Sequence, residues 1–134
     1  MIRVAALTLL ALLGTVVLTL AGWGGPVAAM HLAFAVGIVP LIFAAISHFV
    51  PVLTRTGEPA PTIRAIPALA QGVGLLAVVI FLGWLPYALL PLVIVADFVL
   101  AFSLLIWVVR RASRCLGSPH PCWRWYGAAL TSLL

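Results

Sequence analysis

The chain alternates long apolar runs with short breaks of glycine, proline or arginine. A run of about 20 apolar residues crosses the hydrocarbon core as a helix, because in lipid each backbone amide must find its partner within its own segment. Four such runs are present. The first covers about residues 4–22 and stops at Trp23-Gly24-Gly25-Pro26. The second, about 27–53, contains His31, Pro40, His48 and Pro51. A polar linker, 54–64, follows, and its Gly57, Pro59 and Pro61 interrupt any helix. The third run spans about 65–85, Pro86 imposes a tight turn, and the fourth extends over about 87–109. After the arginine-rich stretch 110–124, the ten residues 125–134 turn apolar again, about half a crossing at 1.5 Å per residue. The pattern predicts an all-α polytopic transmembrane helix bundle, one membrane domain over 1–134 with four spans and a truncated fifth beginning at 125. A span cut short in this way predicts that the chain is the N-terminal part of a longer protein. A short helix lying flat at the interface is the alternative.

Composition narrows the class further. Apolar residues make up 66% of the chain and charged residues 7%, with a mean hydropathy of +1.33. A soluble domain carries about 25% charged residues, so a soluble fold and a disordered chain are both excluded. The seven basic residues are all arginines, against Glu58 and Asp97, and they are too sparse to form a nucleic-acid-binding face. Placed on four spans, Arg3, Arg55, Arg64, Arg110, Arg111, Arg114 and Arg124 fall on one side, and the two opposite loops are uncharged. The positive-inside rule then predicts a multi-pass protein of the cell (inner) membrane with a cytoplasmic N-terminus. Trp23, Trp84 and Tyr87 mark the outer boundary, and Trp107, Trp123, Trp125 and Tyr126 the inner one. The first run imitates a signal peptide, but it is longer than an ordinary apolar region and lacks a clear small-x-small cleavage site, so it is read as a span.

Three polar positions inside the spans carry candidate chemistry. Asp97 lies near the middle of the fourth, where a carboxylate costs about 2.5–3.5 kcal/mol on insertion scales, so it should face the bundle interior. It reads either as a proton- or cation-path group or as a hydrogen-bonded carboxyl joining two helices. Its neighbours by depth are Pro40, which frees the carbonyl of Val36, and Gln71 or Ser103. His31 and His48 lie near opposite ends of the second span, 17 residues apart. That is about 25 Å of rise, so they serve different sites if they are ligands. No other span offers a second histidine, and the local companion of His48 is His120. Cys115, His120 and Cys122 form a C-x4-H-x-C cluster whose spacing matches no common closed metal site, and cytoplasmic thiols are not expected to pair.

Arg110, Arg111 and Arg114, with Arg124, form a juxtamembrane cluster that anchors topology and can meet anionic lipid headgroups. Small-xxx-small pairs at Ala33/Gly37, Ala68/Gly72 and Ala70/Gly74 are candidate close-packing surfaces. No Walker loop, G-x-S-x-G or H-E-x-x-H motif is present, so no catalytic residue is assigned. The expected partners are the lipid bilayer and further membrane spans, of the same chain or of other subunits.

The stretch from Met30-His31-Leu32-Ala33-Phe34-Ala35-Val36-Gly37 through Pro40 and His48 to Thr54-Arg55-Thr56-Gly57 resembles the histidine-bearing helices of NnrS-type membrane proteins and, more distantly, of haem-copper oxidase subunit I. The resemblance covers about 28 of 134 residues. It rests on a histidine near one helix end, a glycine six residues later, a run of small and apolar residues, and a Thr-Arg-x-Gly exit. It implies a polytopic protein linked to the nitric-oxide response, with haem b or copper as cofactor, His31 as the first candidate ligand and His48 as the second. A proton- or cation-coupled transporter using Asp97, and a structural membrane subunit, remain as readings of the residues alone.

Overall fold

The computed structural model describes residues 2–114 and 120–133. The described residues are helical apart from the loops and contain no strand. Helix α1 is Ile2–Ala21, α2 is Gly25–Leu53, α3 is Pro61–Phe81, α4 is Tyr87–Ser113 and α5 is Trp123–Leu133. The first four are long and apolar enough to cross a membrane.

Local chemistry explains where the helices stop. Helix α1 ends with Trp23 N–H on the Leu18 carbonyl and Gly22 N–H on the Thr19 carbonyl, and α3 ends with the equivalent bonds from Trp84 to Val79 and from Gly83 to Ile80. These are Schellman caps, whose C′ residue must adopt a left-handed φ. Gly22 (φ 67°) and Gly83 (φ 78°) do so without a Cβ penalty. Helix α2 closes the same way, with Thr56 bonded to Pro51 and Arg55 to Val52, but its C′ residue is Arg55 at φ 51°. An L-residue held there costs on the order of 1–2 kcal/mol.

Three boundaries differ by four residues from the expected ones. Helix α3 begins at Pro61, four residues early, because proline at the first position gives up an amide hydrogen that would have no helical partner. It also stops four residues early, at the Gly83 cap. Helix α4 continues to Ser113, so Arg110 and Arg111 lie in its last turn, where cations suit the helix dipole.

The main core lies in the half of the bundle nearest the arginines. Phe43, Ile46 and Val50 of α2, Ile66 and Ala70 of α3, Leu104 and Val108 of α4, and Leu130 of α5 are buried there together. Helix α5 therefore packs by one face against the bundle. Helix α1 buries little beyond Thr8 and Ala11 and leaves most of its leucines outward, as suits a lipid-facing helix.

Of the small-residue pairs, Ala70/Gly74 makes the tightest approach. Ala70 is buried, and a Cβ at Gly74 would overlap the Ala35 carbonyl of α2. Gly37 faces Thr8 and Ala11 of α1. The Ala68/Gly72 pair is a correction to the expectation: both residues are exposed, and a Cβ at Gly72 would meet nothing within 4 Å. Spacing marks a small stripe, but packing decides which stripe faces a neighbour.

Candidate functional site

Helix α2 is not uniform. Residues Leu32–Ile38 form a π-helical segment, closed by the Val39 N–H on the Phe34 carbonyl. Pro40 follows directly and has no amide hydrogen to give. Two consecutive carbonyls of this segment receive side chains from neighbouring helices. Gln71 Nε2 of α3 donates to Val36 O at 3.4 Å, and Thr8 Oγ1 of α1 donates to Gly37 O at 3.0 Å. The Val36 carbonyl that Pro40 was expected to free thus acquires a partner in Gln71. Such repair by neighbours is what makes a broken helix tolerable in lipid, and π segments concentrate at functional sites.

Gln71 also donates from Nε2 to Val4 O at 3.3 Å. Both neighbours are carbonyls and can only accept, which fixes the orientation of the amide. Its Oε1 is consequently left buried with no hydrogen-bond partner.

On the other side of the π segment, α2, α3 and α4 line an open cavity of about 370 Å³. His31 and Asp97 both line it, with Met30, Phe34 and Gly74 among the surrounding residues. Asp97 is half-buried and makes no hydrogen bond or ion pair with the described residues. Its expected neighbours by depth, Pro40, Gln71 and Ser103, do not line this cavity, and Gln71 is turned toward Val4 and Val36 instead. Depth along α4 was readable from residue counting. The rotation that places Asp97 on the cavity lined by His31 depends on how α4 packs.

The His31 ring is held in a defined state. Nδ1 lies 2.9 Å from the Val27 carbonyl. A carbonyl only accepts, so Nδ1 carries the proton and, in the neutral ring, Nε2 bears the lone pair. The ring rests against Phe81 with centroids 4.2 Å apart, and Phe81 in turn meets Tyr87 edge-on at 6.0 Å. Three aromatic rings therefore connect the cavity to the uncharged end of the bundle.

His48 occupies a different place. It lines a second cavity, at the arginine-bearing end, with Arg55, Glu58 and Arg64, so the two histidines line different pockets. His120 is drawn to the same end through its main chain, which donates to Leu53 O at 3.4 Å, while its Nδ1 accepts from Cys122 N–H at 3.3 Å. The ring of His48 instead meets Phe49, with centroids 5.1 Å apart. Cys115, the first member of the C-x4-H-x-C cluster, lies outside the described residues, and Cys122 is half-buried as a free thiol. Among the described residues no group of three or more His, Cys, Asp or Glu is placed to hold a metal ion.

Arg111 has a role that the sequence did not suggest. Its guanidinium reaches back to the linker after α2, donating to Thr56 Oγ1, to Gly57 O and, at 3.0 Å, to Glu58 O. It also lies over the Trp107 ring at 5.2 Å. The signal was present as an arginine in the last turn of α4, but the linker it clamps is more than 50 residues away in sequence.

No family model matches the chain, and no curated relative or solved structure matches it. The chemistry rests on the residues themselves. A carboxyl and an imidazole lining one pocket are each able to bind and release a proton, and a carboxylate can also hold a small cation.

Proposed function

We propose that this multi-pass membrane protein moves protons, or a cation exchanged for protons, through the cavity shared by Asp97 and His31. The observation that carries the reading is the convergence of these two side chains on one cavity, from different helices, with the lone pair of His31 Nε2 uncommitted. A carboxyl used only to join helices would be engaged in a hydrogen bond, and Asp97 makes none with the described residues. The test uses proteoliposomes loaded with a pH-sensitive dye under a potassium-diffusion potential. Wild type is expected to acidify or alkalinise the lumen faster than empty vesicles, Asp97→Asn to lose at least about 90% of that rate, and His31→Ala to lose most of it. Equal rates for wild type and Asp97→Asn would remove the reading.

The haem b reading has one specific support. An imidazole whose Nδ1–H is donated to a backbone carbonyl is arranged as metal-ligating histidines commonly are, and His31 is so arranged. Among the described residues His31 would be the histidine to hold the iron, and no second histidine lines the cavity. A visible spectrum of the same preparations separates the readings: a Soret band lost in His31→Ala but kept in Asp97→Asn favours haem, linked to a nitric-oxide response, over proton movement.

We further infer that the arginine-bearing end faces the cytoplasm in a cell (inner) membrane, following the bias of basic residues. In a background lacking Cys115 and Cys122, a cysteine introduced by Trp84→Cys is expected to react with an impermeant maleimide on intact spheroplasts, and one introduced by Gly57→Cys only after lysis. The reverse pattern would invert the topology. Contact of Arg110 and Arg114 with anionic headgroups belongs to the same proposal, whereas Arg111 is committed to the linker.

A further inference from the structure

The second cavity, of about 580 Å³, opens between the start of α1, the end of α2 and the start of α3. Its lining brings Arg55, Arg64 and His48 together beside apolar residues that include Val4, Val52 and Pro67. Arg55 stands where the other two Schellman caps have glycine, and it keeps a left-handed φ of 51° that strains any L-residue. Backbone strain of this kind clusters at ligand-binding sites. Among the described residues the Arg55 guanidinium makes no hydrogen bond or ion pair. Arg64 meets Glu58 at 3.3 Å, but both side chains are largely exposed, and a pair of that kind exchanges partners at little cost. The rim is nevertheless built. Arg111 fastens Thr56, Gly57 and Glu58 from the far side, and the Thr54 and Thr56 hydroxyls bond to each other at 2.9 Å.

The geometry points to a binding site for a phosphate-bearing anion, with the phosphate held by Arg55 and Arg64, the latter released from Glu58. The source favoured by this position is an anionic phospholipid, because the cavity lies at the end of the membrane spans and its apolar lining can accompany acyl chains. The site is separate from the one holding His31 and Asp97 and stands whether or not protons pass there.

Protein purified in a neutral detergent is titrated with dioctanoyl-phosphatidylglycerol, dioctanoyl-phosphatidylcholine and inorganic phosphate, with tryptophan fluorescence reporting binding and thermal denaturation reporting the fold. Phosphatidylglycerol is expected to bind about fivefold to tenfold more tightly than phosphatidylcholine, and Arg64→Gln to remove that margin. Arg55→Gly is the sharper variant. Glycine suits the left-handed cap, so its melting temperature should hold or rise while phosphatidylglycerol binding weakens about fivefold to tenfold. Unchanged phosphatidylglycerol affinity in both variants, or equal affinity of wild type for the two lipids, would overturn the site. Inorganic phosphate binding as tightly as phosphatidylglycerol would overturn the lipid as its source.

Discussion

Gly74→Val is expected to lower the melting temperature of the detergent-purified protein by at least about 10 °C, or to prevent its recovery as a folded species, a loss of roughly 3 kcal/mol or more. The reason is geometric. A Cβ at this position would overlap the Ala35 carbonyl, and what it meets is helix backbone inside the π segment, which cannot rotate aside as a side chain would. Within lipid no hydrophobic term distinguishes packed helices from separated ones, so the close approach of α3 and α2 is itself the source of their association. Gly72→Val, two residues away on the same helix, is the control. It faces open space and should change stability by less than about 1 kcal/mol. Equal effects of the two substitutions, measured by circular dichroism on heating, would show that the contact does not hold the bundle together. Gly74 also lines the cavity of His31 and Asp97, so a folded remnant of Gly74→Val should be impaired in the vesicle assay as well.

The second large effect is expected from Gln71→Glu, which changes one amide nitrogen to oxygen and leaves shape almost untouched. Gln71 Nε2 serves two carbonyls, Val4 and Val36, inside the spans. An ionised carboxylate has nothing to donate and would face both oxygens across about hydrogen-bond distance, at an expected cost on the order of 3–5 kcal/mol. The protonated form can still donate to one of them, so the loss should be larger at pH 8 than at pH 5. Gln71→Leu gives up two modest hydrogen bonds but also removes the buried Oε1 that has no partner, so its cost is expected nearer about 1–2 kcal/mol. Thermal denaturation of the three proteins at both pH values checks the order. If Gln71→Leu proves the more damaging at pH 8, the side chain acts through its size and not through its donor.

Both predictions concern the same few ångströms of α2, where the relation of sequence to structure is most instructive. That a span over about residues 27–53 is long and apolar enough to cross a membrane follows from hydropathy, and that the helix would be weakened near Pro40 follows from the missing amide hydrogen. Nothing in the local sequence announces a π segment at Leu32–Ile38. It is stabilised by Gln71 and Thr8, 35 and 29 residues away from the carbonyls they reach, and by the absence of a side chain at Gly74. The arginines show the same division. Their shared end was readable by counting spans, but only the fold distinguishes Arg111, which clamps the linker, from Arg55, which occupies a glycine's place at a helix cap.

The amino-acid sequence by itself determined that this is an all-α protein with four helices long and apolar enough to cross a membrane, with Asp97 near the middle of the fourth and His31 and His48 toward opposite ends of the second. These conclusions follow because a helix in lipid has a required length, a fixed rise per residue and a penalty for each buried charge. The tertiary structure alone decided that Asp97 and His31 line one pocket, that Gln71 rather than Asp97 attends the Val36 carbonyl, and that Gly74 rather than Gly72 lies against a neighbouring helix. Each of these depends on the rotation of a helix about its own axis. In an almost uniformly apolar span, hydropathy is nearly the same on every face, so rotation is set by close contacts and hydrogen bonds between helices distant in sequence.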